Sequence, residues 1–338
     1  MSINKESLRL KAVAKAHTNI ALIKYWGKRD EQLFLPMNNN LSITLDKFHT
    51  TTAVQFHEHL QEDHFVLNGE QVDREETAKI TRFLDKIRSR AKTSLFAEVK
   101  SVNQVPTAAG FASSASGFAA LAAAATKAIG LDVDNRTLSQ IARQGSGSAC
   151  RSIYGGYVEW QKGELSDGSD SYAEPILDEK DWDVSILSVM LVSKKKKVLS
   201  REGMKRTVET SPFYAGWLDT VETDFLDAKE AISKRDFESL GFILESNALK
   251  MHATTLGANP PFMYWQSSTI EVMELVQELR LAGIQAYFTI DAGPNVKVLC
   301  QPQDEQAVYE ALKELSVVQD VLVCHPGPGI SYLPASTL

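Results

Sequence analysis

The candidate catalytic carboxylate of this sequence is Asp291. It ends the strand-like run AYFTID, enters an Ala-Gly-Pro turn and is the only acid between Glu278 and Asp304. A carboxylate at the end of an apolar strand could act as a general base, or it could cap the turn that follows. Capping is the commoner role when such a segment is considered alone.

A single arginine, Arg151, lies in the glycine- and serine-rich stretch GSGSACRSIYGG, which also contains Ser146 and Ser148. No acid neighbours it in the sequence, and a guanidinium without a competing charge is suited to bidentate binding of a carboxylate or phosphate. The alternative is an arginine that binds loop carbonyls, and this stretch by itself slightly favours that structural role.

Two lysines, Lys24 and Lys28, are spaced four residues apart in NIALIKYWGK. On a helix or a helical turn they would project the same way, beside the aromatic side chains of Tyr25 and Trp26, and could then bind a polyphosphate. An isolated pair of this kind is more often a solvated basic face.

A loop of small residues, PTAAGFASSASG, directly precedes a predicted helix. Free N–H groups and the positive dipole at a helix N-terminus form a phosphate site, and Ser113, Ser114 and Ser116 add hydroxyls for phosphate or magnesium. The alternative, a closely packed Ala/Gly helix start with a serine cap, fits the loop equally well. The pattern is neither a P-loop nor a Rossmann fingerprint.

A basic segment, KKKKVLSREGMKR over residues 194–206, contains a single acid in a chain of net charge −7. Such a concentration of positive charge attracts anions locally. The alternative is the solvated end of a strand, which is common for lysine runs. Within the segment, Ser200 and Arg201 are more specific candidates for ligand binding than the four lysines.

The composition excludes several classes of protein. The 338 residues include 36 basic and 43 acidic side chains, and a net charge of −7 argues against a general nucleic-acid binder. The uncharged stretch 101–126 is too rich in alanine, glycine and polar residues for a membrane span. The three cysteines are few and scattered, which indicates a reducing cytoplasm. Neither the cysteines nor the histidines have the spacing of a zinc site. The charged N-terminus does not resemble a secretory signal.

The elements that must position these residues have both strand and helix patterns. Strands are predicted at 41–46, 51–56, 64–69, 95–102, 155–161, 185–193, 286–291, 295–300 and 320–327, and helices at 74–92, 114–129, 137–144, 213–233, 236–254, 267–281 and 303–315. The pair Asn68-Gly69 predicts a hairpin turn. Strands and helices in both halves indicate an α+β protein, with a domain boundary near residue 190.

Together these segments resemble the mevalonate diphosphate decarboxylase family of the GHMP kinase superfamily. The resemblance runs nearly end to end through NIALIKYWGKRD, VPTAAGFASSASGFAALA, GSGSACRSIYGGY, KKKKVLSREGM, MHATTLGANPPF and FTIDAGPNVKVL. It implies a two-lobed α+β GHMP kinase-type fold with mixed or antiparallel sheets. The implied domains are an ATP-binding, ribosomal S5 domain 2-like domain over 1–190 and a C-terminal domain over 191–338, with the active site in the cleft between them.

The activity that the resemblance implies is ATP- and Mg²⁺-dependent decarboxylation of mevalonate 5-diphosphate. The products would be isopentenyl diphosphate, carbon dioxide, ADP and phosphate, in the mevalonate pathway of isoprenoid biosynthesis. Transfer of the γ-phosphate to the C3 hydroxyl would create a leaving group, and loss of carbon dioxide would then supply the electrons of the double bond. The resemblance also implies a cytoplasmic homodimer with a small-molecule substrate and with neither nucleic acid nor membrane as partner.

The resemblance assigns residues to three groups. The catalytic group is Asp291 at the C3 hydroxyl, Arg151 at the substrate carboxylate and Lys24 beside Asp291. The substrate-binding group is Tyr25, Lys28, Ser146, Ser148, Arg151, Ser200, Arg201 and Met204. The ATP-binding group is Ser101, Asn103, Ala109, Gly110, Ser113, Ser114, Ser116 and Lys196, with Ser114 as the magnesium contact.

Two other functions are compatible with the same segments of the sequence. One is a GHMP kinase that stops after phosphorylation, and the other is a non-catalytic anion-binding protein. The presence of Arg151 together with Asp291 argues against the kinase, because binding of the substrate carboxylate matters most to a decarboxylase. The intact set of Asp, Arg, Lys and Ser residues argues against a non-catalytic protein. Release of carbon dioxide in an ATP-coupled assay separates decarboxylase from kinase.

Overall fold

The first sheet is built on two long strands. The computed structural model describes residues 11–105, 113–191 and 198–338. In it, β1 (Lys11–Ile23) pairs antiparallel with β4 (Asn40–His57), which was expected as two separate strands. Register shifts in β1 after His17 and after Ala21 bend this pair. Because of the bend, the two halves of β4 have different neighbours on their other side.

The remaining strands of this sheet extend from both halves of β4. Six strands lie along one path, which runs β14 (Ser331–Leu333), β1, β4, β7 (Phe96–Asn103), β5 (His64–Leu67) and β6 (Glu70–Gln71). β8 (Tyr157–Trp160) pairs with the first half of β4, and β9 (Ala173–Leu177) pairs with β8. The pair of β5 and β7 is parallel. The sheet is therefore mixed.

The second sheet is antiparallel and has the order β11 (Ala286–Ile290), β12 (Val296–Cys300), β10 (Ser185–Leu191) and β13 (Val318–Cys324). A small ribbon joins β2 (Lys28–Asp30) to β3 (Leu35–Pro36). After β13 the chain returns to the first sheet, where β14 pairs with β1. The two sheets are thus connected both through the middle of the chain and through its C-terminal end.

Eight α-helices cover the sheets within the described residues. They are α1 (Arg74–Ala91), α2 (Ser113–Ala128), α3 (Asn135–Arg143), α4 (Ser200–Thr210), α5 (Tyr214–Lys234), α6 (Phe237–Leu256), α7 (Ser267–Leu281) and α8 (Glu305–Glu314). Aspartates cap the first turns of α1, α3 and α6 through their side chains. α2 packs on β1 and β4, while α6 packs on β11 and β1. α6 therefore bridges the two sheets.

Many predicted elements are confirmed, and the α+β class is confirmed with them. α7 has the predicted bounds, and Asn68 and Gly69 both take positive φ, 53° and 85°, at the predicted hairpin between β5 and β6. The segment between the strands predicted at 155–161 and 185–193, for which no element was predicted, contains β9. From residue 198 onward, the basic segment is described and contains α4. It is therefore not the solvated end of a strand, which was the alternative interpretation.

The absence of β1 from the predicted elements has a physical reason. Its side chains are buried on both faces along most of the strand, so the apolar–polar alternation that marks a half-exposed strand is missing. Polar residues such as His17, Thr18 and Asn19 also lie in its buried part. No local pattern separates such a segment from a loop.

The uncharged stretch rejected as a membrane span forms part of the core. Its described C-terminal portion is α2, whose alanines are buried against the first sheet. Small side chains allow this helix to approach β1 and β4 closely. Among the described residues, the structure contains no helix with the length and apolar character needed to cross a bilayer.

A buried ion pair fixes α1 to the edge of the first sheet. Arg88 of α1 contacts both carboxylate oxygens of Asp63 at 3.0 Å, and Asp63 also accepts a hydrogen bond from the backbone N–H of Ala97 at 2.8 Å. Arg88 and Asp63 are each 5% exposed. Removing Asp63 would leave the buried charge of Arg88 with Asp85, which is largely exposed, as its remaining acidic partner.

We expect Asp63→Ala to lower the free energy of unfolding by about 3 kcal/mol, because a buried guanidinium loses its buried partner. Urea denaturation followed by circular dichroism measures this change. Lys79→Ala on the outer face of the same helix, which removes an exposed ion pair with Glu76, is the matched control and should have no measurable effect. A loss below about 1 kcal/mol in Asp63→Ala would contradict the assignment.

Candidate active site

Asp291 directly follows β11 and faces Lys24, which follows β1. Lys24 Nζ donates a hydrogen bond to Asp291 Oδ1 at 2.8 Å, across 267 positions of sequence. The lysine side chain is 3% exposed, whereas that of Asp291 is 35% exposed. The carboxylate can therefore meet a ligand from solvent while its cationic partner stays buried.

The backbone on either side of Lys24 is held by asparagine side chains. Lys24 N donates to Asn247 Oδ1 at 2.8 Å, and Asn38 Nδ2 donates to the Lys24 carbonyl at 2.9 Å. The ammonium also donates to the carbonyl of Ala21 at 3.0 Å. Burial lowers the pKa of Lys24, and the neighbouring Asp291 opposes that shift. The position of this lysine is thus defined by contacts with β1, with the segment between β3 and β4, and with α6.

The prediction that Lys24 and Lys28 project the same way from a helical turn is wrong. Gly27 has a φ of +114°, and the chain turns there before β2 begins at Lys28. Lys28 Nζ contacts Glu31 Oε2 at 2.5 Å and lies 4.7 Å from the centre of the Phe34 ring. The two lysines consequently belong to different parts of the site.

The Phe34 ring brings two cations together. Arg201, in the first turn of α4, has its guanidinium carbon 5.6 Å from the ring centre, and Lys28 approaches the same ring. Ser200 is half-buried at the start of α4, and Met204 is 8% exposed one turn later. The structure thus gathers these predicted substrate-binding residues from two distant segments of the chain.

Arg151 lies on a 3-10 helix, Gly147–Ile153, and is 2% exposed. Its Nη1 donates to Asn40 Oδ1, and its Nη2 donates to Asn19 Oδ1 at 3.1 Å. Its Nε has no hydrogen-bond partner among the residues described. Burial lowers the pKa of Arg151, and Asp291 is among the charges that oppose this. Its guanidinium hydrogen bonds go to side-chain amides and not to the loop carbonyls that the structural alternative required.

Four asparagines are functional candidates that sequence reasoning missed. Asn19 accepts from Arg151 and donates through Nδ2 to the Ser148 carbonyl at 3.0 Å and to Ser152 Oγ at 2.8 Å. The others are Asn38, Asn40 and Asn247. The run MNNN at 37–40 was an available signal, whereas nothing near Asn247 distinguishes it locally.

The hydroxyl of Tyr25 is buried and has no hydrogen-bond partner within the described ranges. Its ring packs on Trp160 with 4.7 Å between centroids. A Cβ placed on Gly147 would lie 2.8 Å from the hydroxyl, so a glycine is needed there to leave room for it. Burial raises the pKa of Tyr25 above its usual range. The phenol therefore stays protonated and can donate to an acceptor.

Two predicted nucleotide-binding serines lie exposed at the start of α2. They are Ser113 and Ser114, and Ser146 Oγ donates to Ser114 Oγ at 3.3 Å. Ser146 precedes the 3-10 helix that carries Arg151. The N-terminus of α2 is therefore adjacent to the segment that carries the predicted substrate residues.

Other predicted nucleotide-binding residues are engaged within the sheet. Ser116 is fully buried and its hydroxyl bonds that of Thr50 at 2.8 Å, while Ser101 and Thr52 form a similar pair at 2.8 Å. Asn103 Oδ1 accepts from Thr50 at 3.2 Å. The predictions for Ala109, Gly110 and Lys196 lie outside the described residues.

The buried histidine His252 lies behind Asp291 and contacts the residue before it. It is 2% exposed, and its Nε2 donates to the carbonyl of Ile290 at 3.2 Å. Burial lowers its pKa from 6.5 to about 4. In the part of the chain that is described, no group of three or more His, Cys, Asp and Glu side chains could hold a metal ion.

Family models match both halves of the chain. Residues 16–173 match the diphosphomevalonate decarboxylase-like N-terminal domain, and residues 186–325 match the mevalonate 5-diphosphate decarboxylase C-terminal domain. The diphosphomevalonate decarboxylase of Ganoderma lucidum is 37% identical over 323 residues, which cover 89% of this chain and 81% of that protein.

Solved structures agree with the family models. MDDEF in complex with MVAPP, AMPPCP and magnesium superposes with a TM-score of 0.90 at 49% identity, covering 96% of this chain and 99% of that one. Mevalonate diphosphate decarboxylase from Staphylococcus aureus gives a TM-score of 0.91 at 46% identity, covering 96% and 98%. The fold is that of the GHMP-type enzymes. Within that class, the chain belongs to the diphosphomevalonate decarboxylase family.

We expect the free energy of unfolding to fall as the pH decreases from 6.5 towards 4, partly through His252. The folded state lowers the pKa of this histidine from 6.5 to about 4, so protonation in that interval favours the unfolded chain. In His252→Gln the decrease should be shallower, as measured by urea unfolding at several pH values. His59→Gln, on an exposed histidine, should leave the wild-type slope, and an unchanged slope in His252→Gln would contradict the prediction.

Proposed function

We propose that this chain catalyses ATP-dependent decarboxylation of mevalonate 5-diphosphate to isopentenyl diphosphate, carbon dioxide, ADP and phosphate. The observation that carries the proposal is the partly exposed Asp291 paired with buried Lys24, with buried Arg151 among the charges that act on both. Membership of the diphosphomevalonate decarboxylase family supports it. So does the similarity to MDDEF, whose structure contains MVAPP, AMPPCP and magnesium.

Asp291 is proposed to act at the C3 hydroxyl of the substrate. This hydroxyl is a poor leaving group until it is phosphorylated, and the oxygen must lose its proton as it bonds to phosphorus. An ionised carboxylate at hydrogen-bond distance can orient the hydroxyl and accept that proton. Lys24 supports this role because its ammonium, 2.8 Å from Oδ1, favours the ionised carboxylate.

Arg151 is proposed to bind the substrate carboxylate. Two asparagine oxygens orient the guanidinium without neutralising it, so its positive charge remains available to an anion. The Nε, which has no partner among the described residues, could supply one further donor. Holding the carboxylate also aligns the bond that breaks when carbon dioxide leaves.

The diphosphate end of the substrate is proposed to lie near Tyr25 and the Phe34 ring. The proposed contacts are Tyr25, Lys28, Ser146, Ser148, Ser200, Arg201 and Met204. The buried phenol of Tyr25 supplies a donor, and Lys28 and Arg201 supply positive charge. Glu31 binds Lys28 here, so the diphosphate would have to compete with this carboxylate for the ammonium.

ATP and magnesium are proposed to bind at the start of α2. The exposed hydroxyls of Ser113 and Ser114, in the first described turn of α2, fit phosphate oxygens or magnesium. When bound, magnesium would neutralise phosphate charge. Ser101, Asn103, Ala109, Gly110, Ser116 and Lys196 stay in the proposed set, in which the hydroxyls of Ser101 and Ser116 are buried and bonded to threonine hydroxyls of the sheet.

Three further features of the protein remain proposals. They are the division into domains over 1–190 and 191–338, the homodimeric state and the cytoplasmic location. The buried free thiols of Cys150, Cys300 and Cys324 support a reducing compartment. The homodimer rests on the family resemblance alone.

The decisive experiment incubates the protein with ATP, magnesium and mevalonate 5-diphosphate and follows ADP and carbon dioxide together. Equal formation of both supports the proposal. Formation of ADP without carbon dioxide would identify a kinase, and formation of neither would contradict catalysis with this substrate.

We expect Asp291→Asn to lower kcat by about 10²–10⁴-fold with little change in KM, because the near-isosteric amide cannot accept the hydroxyl proton. ADP and carbon dioxide should fall together, since decarboxylation follows phosphoryl transfer. Asp320→Asn, on an exposed residue of the second sheet, is the control and should retain activity. Accumulation of a 3-phosphorylated intermediate at the wild-type rate would instead assign Asp291 to the second step.

We expect Ser114→Ala to raise the magnesium and ATP concentrations needed for half-maximal rate while affinity for mevalonate 5-diphosphate stays within about twofold of wild type. The exposed hydroxyl at the start of α2 is lost, but Arg151 and Asp291 are untouched. Initial rates over both titrations measure this, with Ser233→Ala near the end of α5 as control. Unchanged magnesium and ATP dependence would remove Ser114 from the nucleotide site.

A further inference from the structure

A second buried lysine faces Asp291 from β12. Lys297 Nζ lies 3.7 Å from Asp291 Oδ2, whereas Lys24 Nζ lies 2.8 Å from Oδ1. The Lys297 side chain is 1% exposed. At 3.7 Å the contact is longer than a hydrogen bond, so Lys297 acts on the carboxylate mainly through its charge. Each oxygen of Asp291 therefore has its own ammonium group.

The surroundings of Lys297 are those of a sheet interior. It pairs in register with Ser188 of β10 and with Thr289 of β11, so the three side chains form a row on one face of the sheet. The hydroxyls of Ser188 and Thr289 are buried and have no hydrogen-bond partner among the described residues. A lysine in such a row is costly to bury, and a methionine of similar length would fill the space without that cost.

The charges that face Asp291 come from four elements. Lys24 follows β1, Arg151 lies on the 3-10 helix, Lys297 lies on β12, and His252 lies on α6. His252 is neutral near pH 7 because burial lowers its pKa to about 4. Among the described residues, one partly exposed carboxylate therefore faces three buried cations.

We propose that Lys297 is a positioning residue that holds Asp291 ionised and fixes the plane of its carboxylate towards the C3 hydroxyl. With Lys24 alone, the carboxylate could rotate about the bond to its Cβ while keeping one contact. A second ammonium at Oδ2 opposes that rotation and disfavours protonation of the same oxygen. This inference rests on the proposed function of the site, in which ionised Asp291 accepts the hydroxyl proton.

The test compares Lys297→Met, Lys297→Gln and Lys297→Arg with wild type over pH 5 to 9, following carbon dioxide release. Loss of the charge in the Met and Gln variants should lower kcat at pH 7 by about 10- to 100-fold with nearly unchanged KM. It should also move the acid limb of the kcat–pH profile up by about one unit, because protonated Asp291 becomes more favourable. Lys297→Arg should restore the wild-type acid limb. Lys229→Met, which removes a lysine paired with Glu159 elsewhere, is the control for charge and should keep the wild-type profile.

The outcomes separate this inference from the proposed function. If wild type releases no carbon dioxide, the proposed function fails. If wild type is active but the Met and Gln variants keep the wild-type acid limb, the positioning role of Lys297 is overturned. Failure of both neutral variants to fold, judged by circular dichroism and thermal unfolding, would assign Lys297 a structural role and also overturn it. A shift shared by both neutral variants and reversed by arginine supports it.

Discussion

The interaction on which the rest of the site depends is the ion pair between Lys24 and Asp291. It joins the loop after the longest strand pair to the end of the second sheet, across 267 positions of sequence. Burying an ammonium is costly, and its position is maintained because Asn247, Asn38 and Ala21 bind it or the backbone around it. The packing of α6 on β1 and β11 therefore serves chemistry as well as stability.

Around this pair the balance of charge is opposite to that of the whole chain. The protein has a net charge of −7, but Asp291 faces Lys24, Arg151 and Lys297. A group of buried cations favours binding of an anion. A substrate with a carboxylate near its reacting carbon and a diphosphate at its far end meets this requirement. The acidic composition excluded a general nucleic-acid binder but had no bearing on a local cationic site.

Asparagine side chains make this arrangement possible. An amide oxygen accepts hydrogen bonds from a guanidinium without cancelling its charge, whereas a carboxylate would neutralise it. Asn19 and Asn40 orient Arg151 in this way, so that its charge remains available to the ligand. Asn247 and Asn38 bind the backbone of Lys24 and leave its ammonium to Asp291. The amides thus provide rigidity while the lysines and the arginine provide charge.

The sequence by itself determined the α+β class, the family, most helices and the main chemical groups, because periodicity, turn pairs and short motifs are local properties. α7 and the Asn68-Gly69 hairpin follow from such patterns. Tertiary structure alone decided that Lys24 pairs with Asp291 and Lys28 with Glu31, since the positive φ of Gly27 turns the chain between the two lysines. It also decided the contacts of Asn247 and Lys297, because the partners of a buried polar residue can lie far away in sequence.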